Sequence, residues 1–159
     1  MTIRLICVGK LKESYYVQAC DEFLKRLSRY ADCKVIEVAD EKAPEELSEA
    51  QKRQVTDTEG ARMLAKIAPG DYVIAMDLKG KQMSSPAMAD FMQARMTEGK
   101  SHITFLIGGS LGLSQDVLKR ADYSLCFGAN TFSHQIFRLM LLEQIYRCFK
   151  INANEPYHK

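Results

Sequence analysis

Ile103-Thr104-Phe105-Leu106-Ile107 runs straight into Gly108-Gly109-Ser110-Leu111-Gly112, and this junction limits the folds open to the chain. Consecutive apolar or β-branched residues describe a strand buried on both faces, so the sheet that holds it must be covered on both sides. The glycines that follow allow a sharp turn and let the backbone approach a ligand closely. A second run, Tyr123 to Phe127, also ends in small residues, Gly128-Ala129-Asn130-Thr131. Two such turns at neighbouring strand ends would form a pocket.

The remaining apolar runs repeat the pattern. Ile3 to Val8 stops at Gly9-Lys10, Lys34 to Val38 leads into an acidic stretch around Pro44, and Tyr72 to Met76 ends in Asp77-Leu78-Lys79-Gly80-Lys81. Between them lie helical periods. Tyr16, Cys20, Phe23, Leu27 and Tyr30 share one helix face, and Ser48-Glu49-Ala50-Gln51 has the form of a capping box opening a helix to about Lys66. Ser85 is expected to cap a helix with Pro86 at its first position, and Ser114 to cap a short one ending at Arg120. Strands alternating with helices predict an α/β domain with a mainly parallel sheet covered by helices on both faces. Ligands of such sheets bind beyond the carboxyl ends of the strands. The turns at Asp77–Lys81, Gly108–Gly112 and Gly128–Phe132 stand at such ends.

With 159 residues, 47% of them hydrophobic, the chain is expected to form a single domain over 1–159 with a substantial core. No apolar run approaches the roughly 20 residues that span a bilayer, and Met1-Thr2-Ile3-Arg4 leads into a strand rather than a signal sequence. A cytoplasmic protein without membrane contact is therefore expected. The five cysteines are widely spaced and mostly sit in apolar periods, which predicts buried thiols rather than a zinc or redox site and gives no metal. A net charge of +2 is low for a protein that holds naked nucleic acid through phosphates alone.

The last helix, Ser133 to about Ile151, is too apolar for one face. At about 100° per residue its apolar side chains from Phe137 to Phe149 cover an arc of about 200°. That width suits either a helix central in its own domain or a second partner, for which another copy of the chain is the obvious candidate. Arg138 interrupts the arc, so it must meet a carboxylate, backbone carbonyls or a bound anion.

Gly108-Gly109-Ser110-Leu111-Gly112 formally matches the nucleophile elbow G-x-S-x-G, and Ser110, Asp122 and His134 follow in hydrolase order. Against a serine hydrolase, the elbow should enter a helix at once, whereas Leu113-Ser114 intervene. His134 at a helix start is either a cap or packing residue or a general base. Tyr157 and His158 in the short tail bring a ring that stacks on bases and a group that moves protons near neutral pH.

Gly9-Lys10-Leu11-Lys12, Asp40-Glu41-Lys42-Ala43-Pro44, Ile107-Gly108-Gly109-Ser110-x-Gly112-Leu113, Thr131-Phe132-x-His134-Gln135, Glu143-Gln144-x-Tyr146-Arg147 and Pro156-Tyr157-His158-Lys159 together resemble the RlmH (YbeA) family over the whole chain. These are small SPOUT-class methyltransferases that act on N3 of a pseudouridine in large-subunit (23S) ribosomal RNA. The resemblance implies a C-terminal trefoil knot, a homodimer, and S-adenosylmethionine (SAM) bound in a bent form. By position, the SAM contacts would be Met76, Gly108, Phe127, Gly128, Ala129, Asn130, Thr131 and Phe132. His134 or His158 would assist proton removal from the base, Tyr157 would contact it, and Arg138 and Arg147 would hold RNA phosphate or the dimer. Relatives often carry leucine at the position of Met76 and proline at that of Ser133. The balanced charge points to a shaped target such as the assembled ribosome. A dimeric ribosome-binding factor without catalysis is the alternative from a different class.

Overall fold

A computed structural model describes residues 1–159. The apolar runs form five strands, β1 (Thr2–Val8), β2 (Asp32–Val38), β3 (Tyr72–Gln82), β4 (His102–Ile107) and β5 (Tyr123–Cys126), in one sheet of order β2-β1-β4-β3-β5. Every neighbouring pair is parallel. The helices between them are α1 (Ser14–Leu27), α2 (Glu49–Leu64), α3 (Ser85–Thr97), α4 (Gln115–Arg120) and α5 (His134–Asn152).

Side chains alternate across the pleat and so divide the core in two. Ile3, Leu5 and Cys7 of β1, with Ile103, Phe105 and Ile107 of β4, face the larger cluster under α1, α3 and α5; Ile6, Val8 and Leu106 face the smaller one under α2 and α4. Both faces are covered, which is why these strands are apolar without interruption.

Serine caps start four of the helices. Ser48 and Gln51 form the expected capping box: the Ser48 hydroxyl accepts from the Gln51 N–H at 3.2 Å, and the Ser48 N–H donates to the Gln51 amide oxygen at 2.8 Å. Ser114 and Ser133 cap α4 and α5. The cap of α3 is Ser84 rather than Ser85, and its hydroxyl accepts from Ala87 N–H at 3.2 Å, so Pro86 falls within the first turn.

β3 also differs from expectation. It continues to Gln82 through the segment read as a turn, because Met76 and Lys81 both take register opposite Leu125 of β5 and the residues between them bulge outward. The strand β5 stops at Cys126, leaving Phe127 in the loop.

The amino ends of the strands are held by Asp71, 5% exposed just before β3. Its carboxylate accepts from Arg4 of β1 at 2.9 and 3.2 Å, from the Thr104 hydroxyl of β4 at 2.9 Å, and from Ala68 N–H at 3.1 Å. Removing a well-satisfied buried carboxylate leaves its donors unpaired. Asp71→Ala should therefore cost about 3 kcal/mol of folding stability in urea unfolding. A loss below about 1 kcal/mol would show that the cluster does not hold the three strands together.

Candidate active site

Since all strands run one way and β4, β3 and β5 are neighbours, their carboxyl ends emerge side by side. Met76 is buried where β3 bulges out. Gly108 follows β4, and a Cβ there would stand 2.6 Å from the Gly112 carbonyl oxygen, so the turn closes only around glycine. Gly112 N–H donates to the Gly109 carbonyl at 3.1 Å and completes that turn.

After β5 the backbone changes character. From Phe127 to Phe132 no main-chain N–H or carbonyl pairs with another main-chain group. Cys126 Sγ alone lies near the Gly128 N–H and carbonyl, at 3.4 and 3.0 Å. Ala129, Asn130, Thr131 and Phe132 are exposed, while Phe127 is half-buried with its ring 5.2 Å from that of Phe137. A loop with this many unused donors and acceptors is suited to hold a flat polar heterocycle through its backbone.

His134 opens α5 directly after this loop and is half-buried. Its Nδ1 is buried without a hydrogen-bond partner in the chain. Burial, reinforced by the positive charges of Arg138 and Lys12 and opposed by Asp40, holds its pKa below the ordinary imidazole value. The ring is accordingly neutral near pH 7 and able to accept a proton.

Arg138, on the same helix, meets both a carboxylate and a carbonyl of its own chain. It is 2% exposed, with Nη1 donating to Glu37 at 2.6 Å and Nη2 to the Gly9 carbonyl at 3.1 Å. Of the partners expected for it, the carboxylate and the backbone carbonyl are the ones it meets in this chain.

The tail is folded back on α5. The Tyr157 hydroxyl donates to Glu143 at 2.9 Å, Arg147 donates to the same carboxylate at 2.5 Å, and the Arg147 guanidinium lies 4.6 Å from the centre of the Tyr157 ring. His158 Nδ1 lies 3.4 Å from Arg147, and Lys150, Arg29 and Tyr30 hold Glu155. Glu143 is therefore central to the tail; in the sequence it stands only as part of a family motif with no role attached, and its i,i+4 spacing from Arg147 is the signal that marks it. At about 1.5 Å of rise per residue, Glu143 and Arg147 lie about 14 and about 20 Å along the axis from His134. Within this chain, His134 and the tail do not share a site.

Another carboxylate that the sequence did not mark, Glu59 of α2, is 4% exposed beside the glycine turn, where a Cβ on Gly109 would be 3.2 Å from its Oε1. It accepts from Glu41 N–H at 3.1 Å and so pins the acidic loop after β2 to the turn after β4.

The hydrolase reading is overturned. Asp122 precedes β5, where its carboxylate accepts from Val73 N–H at 2.8 Å at the amino end of the sheet, whereas Ser110 and His134 lie beyond the carboxyl ends. A relay cannot span the sheet. The five thiols are free, no group of three or more His, Cys, Asp or Glu side chains is placed to hold a metal, and no helix is long and apolar enough to cross a membrane.

A family model described as "Predicted SPOUT methyltransferase" matches residues 1–158. Over 159 residues, and over the full length of both proteins, the chain is 57% identical to the ribosomal RNA large subunit methyltransferase H of Alkaliphilus oremlandii. It is 56% identical over the same full lengths to the protein of that name from Carboxydothermus hydrogenoformans. Among solved structures, a probable methylase family protein from Haemophilus influenzae superposes with a TM-score of 0.56 at 14% identity, covering 99% of this chain and 70% of that one. The tRNA (m1G37) methyltransferase of Aquifex aeolicus superposes with a TM-score of 0.51 at 13% identity, covering 92% and 70%. These structural likenesses speak for the fold, and the sequence matches for the relationship: the chain belongs to the SPOUT methyltransferases and, among them, to the RlmH family.

Proposed function

We propose that this chain transfers a methyl group from S-adenosylmethionine to N3 of a pseudouridine in large-subunit ribosomal RNA, as a homodimer acting on the assembled ribosome in the cytoplasm. The observation that carries the reading is the unpaired main chain of Phe127–Phe132 beside Met76 and the Gly108 turn. Those groups fit the cofactor: Gly108 leaves the backbone bare, the loop supplies donors and acceptors for an adenine edge, and Met76 and Phe127 offer apolar surface to its faces. The names of the full-length relatives support ribosomal RNA as the substrate.

When bound, SAM supplies an electrophilic sulfonium methyl. The chain's own residues orient the base and deal with its N3 proton, which must leave as the nitrogen becomes the nucleophile. His134, its pKa held below the ordinary imidazole value by burial, is neutral near pH 7 and can accept a proton; its unpartnered Nδ1 is buried, so the ring would have to turn before that nitrogen met the base. The phenol of Tyr157 stays protonated, its pKa raised by burial and by its bond to Glu143, and can donate to the base or stack on it. Arg147, 24% exposed in its side chain, can meet phosphate once it turns from Glu143.

The separation of His134 from the tail along α5 supports a composite site, with the tail of one protomer completing the loops of its partner. A groove of about 500 Å³ between α1, α3 and α5, lined by Phe23, Met88, Phe127 and Leu139, gives a second copy an apolar seat next to Glu143. The trefoil knot that the family resemblance implies would bring the loops after β4 and β5 together.

Calorimetry with SAM should show micromolar binding at one site per chain or per dimer, and no binding would favour a noncatalytic ribosome-binding factor. Gly108→Ala, whose methyl meets the Gly112 carbonyl, should weaken that binding at least about tenfold, or about 1.4 kcal/mol. His158→Ala should lower methyl transfer to ribosomes while SAM affinity stays within about twofold, and full activity would remove the tail from the site. Mass spectrometry of ribosomal RNA from a strain lacking the gene should show one unmethylated pseudouridine; an unchanged modification pattern would overturn the substrate assignment.

A further inference from the structure

Arg138 stands one turn after His134 and points into the protein. Its guanidinium joins three elements, since Glu37 lies in β2, Gly9 closes β1, and Arg138 itself belongs to α5. Gly9 adopts φ +86°, a left-handed conformation that favours glycine, and a Cβ on it would be 3.4 Å from Cε1 of His134. The turn that follows Gly9 is tied to the same helix start by Lys12 N–H, which donates to Gln135 Oε1 at 3.5 Å. The imidazole beside the cofactor loops therefore rests against a backbone turn whose carbonyl is gripped by a buried cation.

Burying a guanidinium is costly, and a well-packed apolar side chain would serve stability as well or better. The cation is matched instead to one carboxylate and one carbonyl, each belonging to a strand end at the active side of the sheet. We propose that Arg138 is a positioning residue for methyl transfer: by holding the Gly9 carbonyl and Glu37 it fixes the β1–α1 turn against His134 and so sets the direction in which that ring points. The kinetic part of the proposal rests on the methyl transfer proposed above; the structural part stands without it.

The charges that face His134 are Arg138 on α5, Lys12 in the turn after β1 and Asp40 in the loop after β2. Burial depresses its pKa most, Arg138 next, and Asp40 opposes both. Removing the Arg138 charge should thus move the titration midpoint of His134 up, and removing the Glu37 charge, which leaves the guanidinium uncompensated, should move it down.

The test follows the His134 ring by NMR titration in the free full-length protein, alongside SAM titration and methyl transfer to ribosomes at saturating SAM. Arg138→Gln should raise the His134 midpoint toward the ordinary imidazole value and reduce kcat at least about tenfold, with SAM affinity held within about threefold. Arg138→Lys should restore the midpoint and recover part of kcat. Unchanged midpoint or unchanged kcat in the folded Arg138→Gln protein overturns the proposal. Should that variant fail to fold, Glu37→Gln decides: its side chain is 33% exposed and still accepts a hydrogen bond. A lowered midpoint supports the proposal, and an unmoved one overturns it. A wild-type protein inactive on ribosomes would count against the proposed reaction, while the titrations still decide whether Arg138 positions the ring.

Discussion

The shared direction of β4, β3 and β5 is the constraint from which the rest of the molecule follows. Parallel neighbours cannot be joined by tight hairpins, so the chain must cross over the sheet between strands and cover its faces. The same constraint sends every strand's carboxyl end to one side, where Met76, Gly108 and Phe127–Phe132 meet. It also sends the amino ends to the other side, where Asp71 collects Arg4 and Thr104. Each end of the sheet has its own task. Satisfied polar groups tie the strands together at the amino end, while unpaired backbone is left free at the carboxyl end.

Charges inside the molecule obey one rule at both ends. Asp71, Glu59 and Arg138 are each nearly inaccessible, and each is paired with groups from other segments of the chain. Such pairs are weak sources of net stability, because desolvation offsets most of the attraction. Their geometry is what they contribute. Glu59 fixes an acidic loop to the glycine turn, and Arg138 fixes the end of β1 to the first turns of α5. His134 lies between these arrangements, and its Nδ1 is buried without a hydrogen-bond partner in the chain.

The helix α5 reconciles two expectations about its wide apolar arc. Leu141, Leu142, Ile145, Cys148 and Phe149 are buried beneath α1 and α3, so the helix is central within its own domain. Phe137, Leu139 and Tyr146 remain partly accessible at the edges of that burial. The arc is therefore largely used within the chain's own domain, and what it leaves uncovered borders the groove that runs to Glu143. The tail is not frayed, because Tyr157 and Glu155 find specific partners that a solvated terminus would lack.

Sequence alone determined the elements and their layering. Uninterrupted apolar strands demand cover on both faces, serine caps mark helix starts, and glycines at strand ends mark turns, all of which are local physical effects. Resemblance to the RlmH family added an expectation of where a cofactor would sit, at Met76, Gly108 and Phe127–Phe132. Tertiary structure decided what depends on contacts far apart in the chain. The cap of α3 moved to Ser84, and β3 ran on through Asp77–Lys81 because β5 offered it a second register. Arg138 found Glu37, 101 residues away, and Asp122 was carried to the end of the sheet opposite Ser110. Periodicity reports which face of an element is buried; it is silent on which distant partner a buried charge will meet, since that choice is made only when the strands take their order in the sheet.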